Sequence, residues 1–557
     1  MSFLSLGLAL SALTPLALMT LVAVRGRLWP ADEPPAAAWT FFRRAAALAL
    51  AAALLTVLLQ LLRQWHGLPA PVVEGLWLSP LSAWVALLVQ FLGTVIGVFS
   101  SRYLHGEPGQ GRYMARLAGV LAGVHLLLLA DQWWLLIVAW AWVGHALHGL
   151  LCFYPDRPFA QLAAHKKRVS DRLADLLLLA AMAGAWQATG SGQLSVTLAQ
   201  ASQQAVHQGA GPGLTLAALA LAAAVIVRTA HVPLQGWLLQ VMEAPTPVSA
   251  LLHAGVVNLG GFVLIRFAPL LEAVPAARAL LVVFGLASAL LAAFAMLTRI
   301  SIKVRLAWST VAQMGFMVME CGLGLYQMAA LHLLGHSLYK AHHFLAASEV
   351  VAHTRQQMLS AASAVRRSSL LAAPLLSLAV VWAVTAAVQA GLHGLEALRL
   401  TAGLGPQPLL AAGGWPVWWS ALLALAWAPL LWLAAGAQRP ADTARALFTG
   451  TAMLAFLAAL ASLGHALPLG LDDRPHTGLG WLALAGMAAM YLGLAALQWQ
   501  RGVWTAARRW TYAGYYVDDL LTRLACRLWP ARWAAPAWAG RAAAWAVHGP
   551  TPSAPVA

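Results

Sequence analysis

The sequence predicts an all-α polytopic membrane protein, and three observations carry that reading. Of 557 residues, 61% are hydrophobic and only 9% are charged, whereas soluble globular domains carry about 25% charged residues. The chain divides into apolar runs of about 20 residues, the length an α-helix needs to cross a bilayer core. Short basic clusters fall between alternate runs, as topology signals do. A soluble enzyme, a disordered chain and a collagen-like fibre do not fit this composition. The net charge of +16 would suggest a nucleic-acid partner if it formed a stripe on a soluble domain. No such domain is visible, so the expected partner is the lipid bilayer and not nucleic acid. Cys152, Cys321 and Cys526 are widely spaced and form no CxxC, so neither a disulfide framework nor a cysteine metal site is implied.

The spans follow in order. The run Phe3 to Val24 has no basic residue before it and Arg25 and Arg27 after it. A secretory signal has the reverse arrangement, so this reads as a first span with an outward N-terminus. Further runs fall at 45–62, 77–100, 117–130, 133–153, 173–190, 213–231, 247–268, 279–298, 306–324, 327–350, 369–390, 415–436, 446–468 and 477–499. That makes about 14–15 transmembrane helices. Most odd-numbered spans are followed by basic loops, among them Arg25 to Arg44, Arg102 to Arg116, Arg157 to Arg172 and Arg299 to Arg305, while the short loop after the seventh has no positive cluster. Even-numbered spans are followed by nearly bare loops, such as 191–212 and 470–476. Odd loops and the C-terminus are therefore expected in the cytoplasm, from a multi-pass protein of the cell (inner) membrane. Trp133 and Trp134, and Trp415, Trp418 and Trp419, lie at span ends where aromatic anchors are expected. The tail after Gln500 alternates Arg and Trp and reads as an amphipathic segment on the inner membrane surface or a docking helix.

Ionisable groups inside spans are functional candidates by default, because they are costly in the bilayer. In Ala329 to Phe344, the residues His332, His336, Lys340 and His343 follow helical spacing and share one face. Imidazoles and an amine in file can pass protons. The competing readings are hydrogen-bonding groups that hold helices together, and a metal site for which no acidic or Cys partner is nearby. In Val225 to Trp237, Arg228 and His231 stand beside Pro233, which removes a backbone hydrogen bond and interrupts the helix. A second break is expected at Pro245 and Pro247, just before His253. Broken helices at membrane depth line cavities and hold ion sites in transporters. The alternative for Arg228 is a snorkelling residue near a span end. His145 and His148 in the fifth run, His125 in the fourth and Asp175 in the sixth extend the polar line. No nucleotide loop or hydrolytic triad is visible, so the chain reads as a transporter subunit without a cofactor, metal or catalytic residue of its own.

Three segments carry a resemblance: His231-Val-Pro-Leu-Gln-Gly-Trp-Leu238, Pro245-Thr-Pro-Val-Ser-Ala-Leu-Leu-His253 and Leu306-Ala-Trp-Ser-Thr-Val-Ala-Gln-Met-Gly-Phe316. Together with Ala329 to Phe344 they resemble the antiporter-like proton-translocating subunits. That family includes the chain 5 (L) subunit of NADH–quinone oxidoreductase and the large Mrp antiporter subunits. The resemblance implies two inverted five-helix repeats, each with a broken helix, and a central chain of ionisable residues. The implied organisation is N-terminal spans over 1–116, a first repeat over 117–268, a second over 279–436, C-terminal spans over 442–500 and a cytoplasmic tail over 501–557. Arg228 falls on the family's broken-helix Lys, and Lys340 on the Lys of the eleventh span. His253, His332 and His336 fall on family His positions, and Lys303 on the Lys that opens the tenth span. Ala141 stands where the family has a carboxylate, so His145, one turn later, is the candidate replacement. No Lys follows Lys340, so the family's twelfth-span Lys has no counterpart.

Within the family, His148-Gly-Leu-Leu-Cys-Phe-Tyr-Pro-Asp-Arg-Pro158 and His253 to Pro269 resemble the DabB branch. DabB chains are membrane subunits of a two-component inorganic-carbon pump. The resemblance implies a DabA-like zinc-binding partner related to carbonic anhydrase, and a flux of H⁺ or Na⁺ that makes bicarbonate accumulate in the cytoplasm. Two other readings stay open: a subunit of a respiratory, hydrogenase or Mrp complex, and a membrane scaffold that anchors a soluble enzyme.

Overall fold

The computed structural model describes residues 3–29, 35–69, 73–207, 209–299, 301–346, 365–401, 415–433, 439–499 and 505–530. The first helices are α1 Phe3–Arg27, α2 Pro35–Trp65, α3 Pro80–Tyr103, α4 Gln110–Leu129, α5 Trp133–Leu151, α6 Pro158–Thr189, α7 Leu194–His207, α8 Pro212–Arg228, α9 Gly236–Gln240, α10 Thr246–Ala254 and α11 Leu259–Arg266. They continue as α12 Ala268–Ala273, α13 Pro275–Thr298, α14 Ile302–Leu323, α15 Tyr326–Leu345, α16 Arg367–Thr401, α17 Val417–Trp427, α18 Pro440–Gly464, α19 Thr477–Trp499, α20 Thr505–Tyr512 and α21 Val517–Leu528. Each apolar run read from the sequence is a helix or an interrupted helix. By length and composition, 10 helices among the described residues could cross a membrane. The helices α6, α14 and α15 have comparable lengths of 32, 22 and 20 residues, but they carry the ionisable groups. The last residues of the eleventh and thirteenth runs, and Arg532 and Trp533 of the tail, lie outside the described residues.

The alternation of loop charge has a geometric counterpart. At one end of the bundle the Arg-poor loops meet: Trp77 N donates to the Leu129 carbonyl at 2.8 Å and Arg474 N to that of Gly324 at 2.8 Å. Gln64 Nε2 reaches the Pro468 carbonyl at 3.2 Å. At the other end the Arg-rich loops meet the tail: Arg157 Nη1 donates to the Glu243 carbonyl at 2.9 Å, and the Arg299 guanidinium lies 5.1 Å from the Tyr512 ring centre. The charge-free stretch 191–212 is not simply a loop. It holds α7, pinned by Asp131, which accepts from Ser195 N at 3.0 Å and Ser195 Oγ at 2.8 Å.

Lipid provides no hydrophobic drive for helix association, so close van der Waals packing through small residues does this work. Two helix pairs show it. A Cβ on Gly285 of α13 would lie 2.6 Å from the Gly315 carbonyl of α14, and the reverse substitution gives the same distance. A Cβ on Gly184 of α6 would lie 2.6 Å from the Gly213 carbonyl of α8. These two crossings bring α8 and α14, which bear the site residues, into backbone contact with their neighbours.

The tryptophans divide in a way the sequence reading does not anticipate. Trp134 is 57% exposed, as an anchor should be, but Trp133 and Trp419 are fully buried. Adjacent helical residues point about 100° apart, so Trp133 turns inward where Trp134 turns out, whereas Trp418 and Trp419 are both buried. Trp133 packs on Phe267 with ring centres 5.0 Å apart and donates to Thr197 at 3.2 Å.

Gly285→Val is expected to separate α13 from α14 and destabilise the chain by about 1–3 kcal/mol. Gly335→Ala, which adds a methyl where no atom lies within 4 Å, is the matched control. Thermal unfolding in detergent should show a lowered Tm for the first and an unchanged one for the second.

Candidate functional site

The first cluster forms where α5, α6 and α8 meet. Arg228 ends α8 and is 5% exposed. Its Nη1 donates to Asp175 Oδ1 at 2.8 Å and its Nη2 to the Trp140 carbonyl at 2.7 Å, while Nε lies 3.5 Å from Asp171 Oδ1. Lys167 holds both oxygens of Asp171, at 2.8 and 2.6 Å. The Arg228 guanidinium lies over the Trp140 ring and the Lys167 ammonium over that of Trp237, at 4.9 and 5.1 Å. Two cations therefore face two carboxylates, which is how charge becomes tolerable in a low-dielectric interior. Gly144 makes the approach possible, since a Cβ there would lie 2.8 Å from Asp171 Oδ2. A cavity of about 40 Å³ lined by Ala141, His145, Lys167, Asp171 and Asp175 adjoins the cluster, room enough for water.

Immediately after Arg228 the helix stops. Ala230 takes a left-handed backbone with φ of 57°, a region costly for any residue with a Cβ. The helix resumes at Gly236, so the interruption brackets Pro233. His231 is buried inside it, and neither ring nitrogen reaches a hydrogen-bond partner among the described residues. Across Pro245 and Pro247 the chain restarts as α10. A further interruption follows that proline does not signal. At Gly255 the helix gives way to a 3-10 turn, Val256–Asn258. Asn258 Nδ2 then bonds to Ser337 Oγ of α15 at 2.6 Å.

The second cluster lies on α10, α14 and α15. Lys340 is fully buried. Its Nζ donates to the Leu306 carbonyl at 2.9 Å and to Ser309 Oγ. Among the described residues no carboxylate pairs with it. The ammonium can donate to both oxygens, and the neutral amine can accept from the Ser309 hydroxyl, so each protonation state finds partners. His253 Nδ1 lies 3.0 Å from Thr310 Oγ1, and its ring stacks on Phe344 at 4.5 Å. His336 is buried, with neither nitrogen bonded to a described residue, and its ring centre lies 6.1 Å from that of His332. His332 reaches Glu320 Oε2 at 2.9 Å through Nδ1 and Gln313 Oε1 at 2.8 Å through Nε2.

The structure thus gathers His253, His332, His336 and Lys340 in one cluster and Arg228 and Asp175 in another, with His145 on the edge of the latter's cavity. Lys303 stands apart at the Arg-rich end, 3.3 Å from Thr246 Oγ1. His343 turns away from Lys340, with its ring 4.0 Å from that of Tyr339 and Nδ1 on the Tyr339 carbonyl at 2.9 Å. Four members escape sequence reasoning. Lys167 and Asp171 look like loop charges, because α6 begins at Pro158, well before the apolar run. Glu320 and Gln313 sit in a run scored as apolar. The signal was present in Glu320, a lone carboxylate in the same span as the Gln313 amide.

Residues 130–404 match the family described as NADH:quinone oxidoreductase/Mrp antiporter, TM, and residues 71–114 match NADH-ubiquinone oxidoreductase (complex I), chain 5 N-terminus. A Hydrogenovibrio crunogenus protein described as "Probable inorganic carbon transporter subunit DabB" is 35% identical over 478 residues, covering 83% of this chain and 85% of the relative. A Halothiobacillus neapolitanus protein described as "Probable inorganic carbon transporter subunit DabB2" is 45% identical over 273 residues, covering 49% of each chain. The structure of the Mrp complex from Dietzia sp. contains a chain with the same fold, at a TM-score of 0.56 and 23% identity, covering 97% of this chain and 59% of that one.

Arg228→Gln leaves Asp171 and Asp175 buried with one cation fewer and should cost about 3–5 kcal/mol. Adding Asp175→Asn restores the charge balance and should recover most of the loss. Thermal unfolding of both variants in detergent checks this, and equal loss in single and double variants would contradict it.

Proposed function

This chain belongs to the DabB family of antiporter-like membrane subunits, and on that premise we propose that it conducts the cation that drives an inorganic-carbon uptake complex. The observation that supports this most strongly is Lys340: a fully buried amine whose partners among the described residues are neutral oxygens, next to two buried imidazoles. Such an amine can change charge where it stands, whereas the Arg228 guanidinium cannot release its proton at physiological pH. The two clusters accordingly have different roles. Lys340, His336, His332 and His253 carry the proton, and Lys303 and His343 lie towards its cytoplasmic end. Arg228, fixed by Asp171 and Asp175, sets the field beside the break at His231 and Pro233, and His145 joins it through water in the adjoining cavity.

The Arg-rich end, with the tail, faces the cytoplasm, and the units 117–268 and 279–436 act as the two repeats. Protons move inward down their gradient and drive carbon dioxide hydration in a DabA-like zinc-binding partner. The chain itself performs no chemistry on carbon.

Expression with its partner in cells that require high carbon dioxide tests this reading. Lys340→Ala and His336→Ala should fail to support growth in air, with membrane levels unchanged. Arg228→Lys should support it, since only the charge is required there. Growth of the Lys340→Ala strain in air would overturn the proposal.

A further inference from the structure

The proton path just described needs an entrance from the outer face, and the structure offers residues for one. The Arg-poor end holds a cavity of about 390 Å³ lined in part by Tyr326, Glu272, Asp472 and Arg474. Arg474 pairs with Glu272 across it at 3.1 Å. Between Asp472 and Arg474 stands Asp473, whose side chain turns into the protein. Its Oδ1 accepts from Gln327 N at 2.7 Å, at the first turn of α15, and its Oδ2 lies 3.4 Å from His465 Nε2. Burial pushes the Asp473 carboxyl up to about 7, and the nearby charge of Glu320 pushes the same way.

Glu320 lies deeper, on the last turns of α14, and its residue is 3% exposed. It meets no Lys or Arg within ion-pair distance among the described residues; its partner is His332 Nδ1 at 2.9 Å. The other face of that imidazole meets Gln313, an amide that can present either its carbonyl or its NH₂ group. A charged and a neutral His332 are therefore both satisfied. His336 follows 6.1 Å further along α15, and Lys340 one turn beyond.

We propose that Asp473 and Glu320 form the outer half-channel of the second unit, passing protons from the outer cavity through His332 and His336 to Lys340. A proton taken up by Asp473 passes to the Glu320 carboxylate. His332 accepts it at Nδ1 as its Nε2 proton passes on to His336, and a flip of the imidazole ring, with the Gln313 amide turning to match, then restores the starting arrangement. Each transfer moves one proton from one named group to the next, so no other reactant is needed. His465, beside Asp473, is a positioning residue.

This inference rests on conduction through Lys340, and the experiment separates the two. The full complex is reconstituted in liposomes, and inward proton flux is read from an internal pH dye after an outside-acid jump. Lys340→Ala serves as the reference that abolishes flux. Glu320→Gln is expected to lower flux about 10²-fold, the scale of removing one positioned proton-transfer group. Asp473→Asn should also lower flux. Glu320→Asp, which keeps the carboxyl, should retain much of it at the same thermal stability. Flux unchanged in both Glu320→Gln and Asp473→Asn, while Lys340→Ala is dead, overturns the half-channel and leaves the conduction reading standing. Equal loss in Glu320→Gln and Glu320→Asp also overturns it, since that pattern marks a packing role. Flux retained in Lys340→Ala overturns the conduction reading, and the half-channel with it.

Discussion

The structure depends on one constraint: a cationic side chain inside a helix bundle must find oxygen atoms, because there is no bulk water to supply them. Arg228 meets it with two carboxylates and a backbone carbonyl, which ties α5, α6 and α8 to a single guanidinium. That knot sits where α8 stops. A helix can end at this depth only if its freed backbone groups are enclosed by protein, and the helices gathered around Arg228 enclose them. The small residues follow from the same demand. Gly144 admits Asp171, while Gly184 and Gly213 let α6 and α8 close to backbone contact.

Lys340 meets the constraint in the opposite way. Its nitrogen has a carbonyl and a hydroxyl, and no counter-charge among the described residues. A neutral set of partners holds the side chain without prescribing its charge. A carboxylate is instead placed further along, as Glu320 against His332. The two clusters are thus both polar but distribute charge differently. In one, opposite charges lock each other. In the other, cation and anion are kept apart by imidazoles.

The membrane class, the spans and the loop alternation were legible because they rest on long runs of like residues, which tertiary contacts cannot overturn. Arg228 and Lys340 were legible because a charge in an apolar run stands out. What was not legible depended on where helices begin. Lys167 and Asp171 belong to a basic stretch that reads as a loop until α6 is seen to start at Pro158, which carries both inside. Asp473 reads as an ordinary loop charge, and only folding places it at the first turn of α15, more than a hundred residues earlier in the chain. The interruption at Gly255 has no proline to announce it. It shows in the bond from Asn258 to Ser337, which no local pattern encodes.

The tail adds a mechanical relation. Asp518 on α21 is held by Lys166 at 2.5 Å and by Gln240 at 3.0 Å, and it lies so close to Gly236 that no side chain could fit there. Lys166 precedes the first knot by one residue, and Gly236 and Gln240 are the ends of the short helix that follows the break. One carboxylate is thus a rivet through three parts: the tail, the start of α6 and the far half of the interrupted helix. Any load applied to α21 is borne directly by the segment beyond the hinge, so these parts move as one body or the rivet opens.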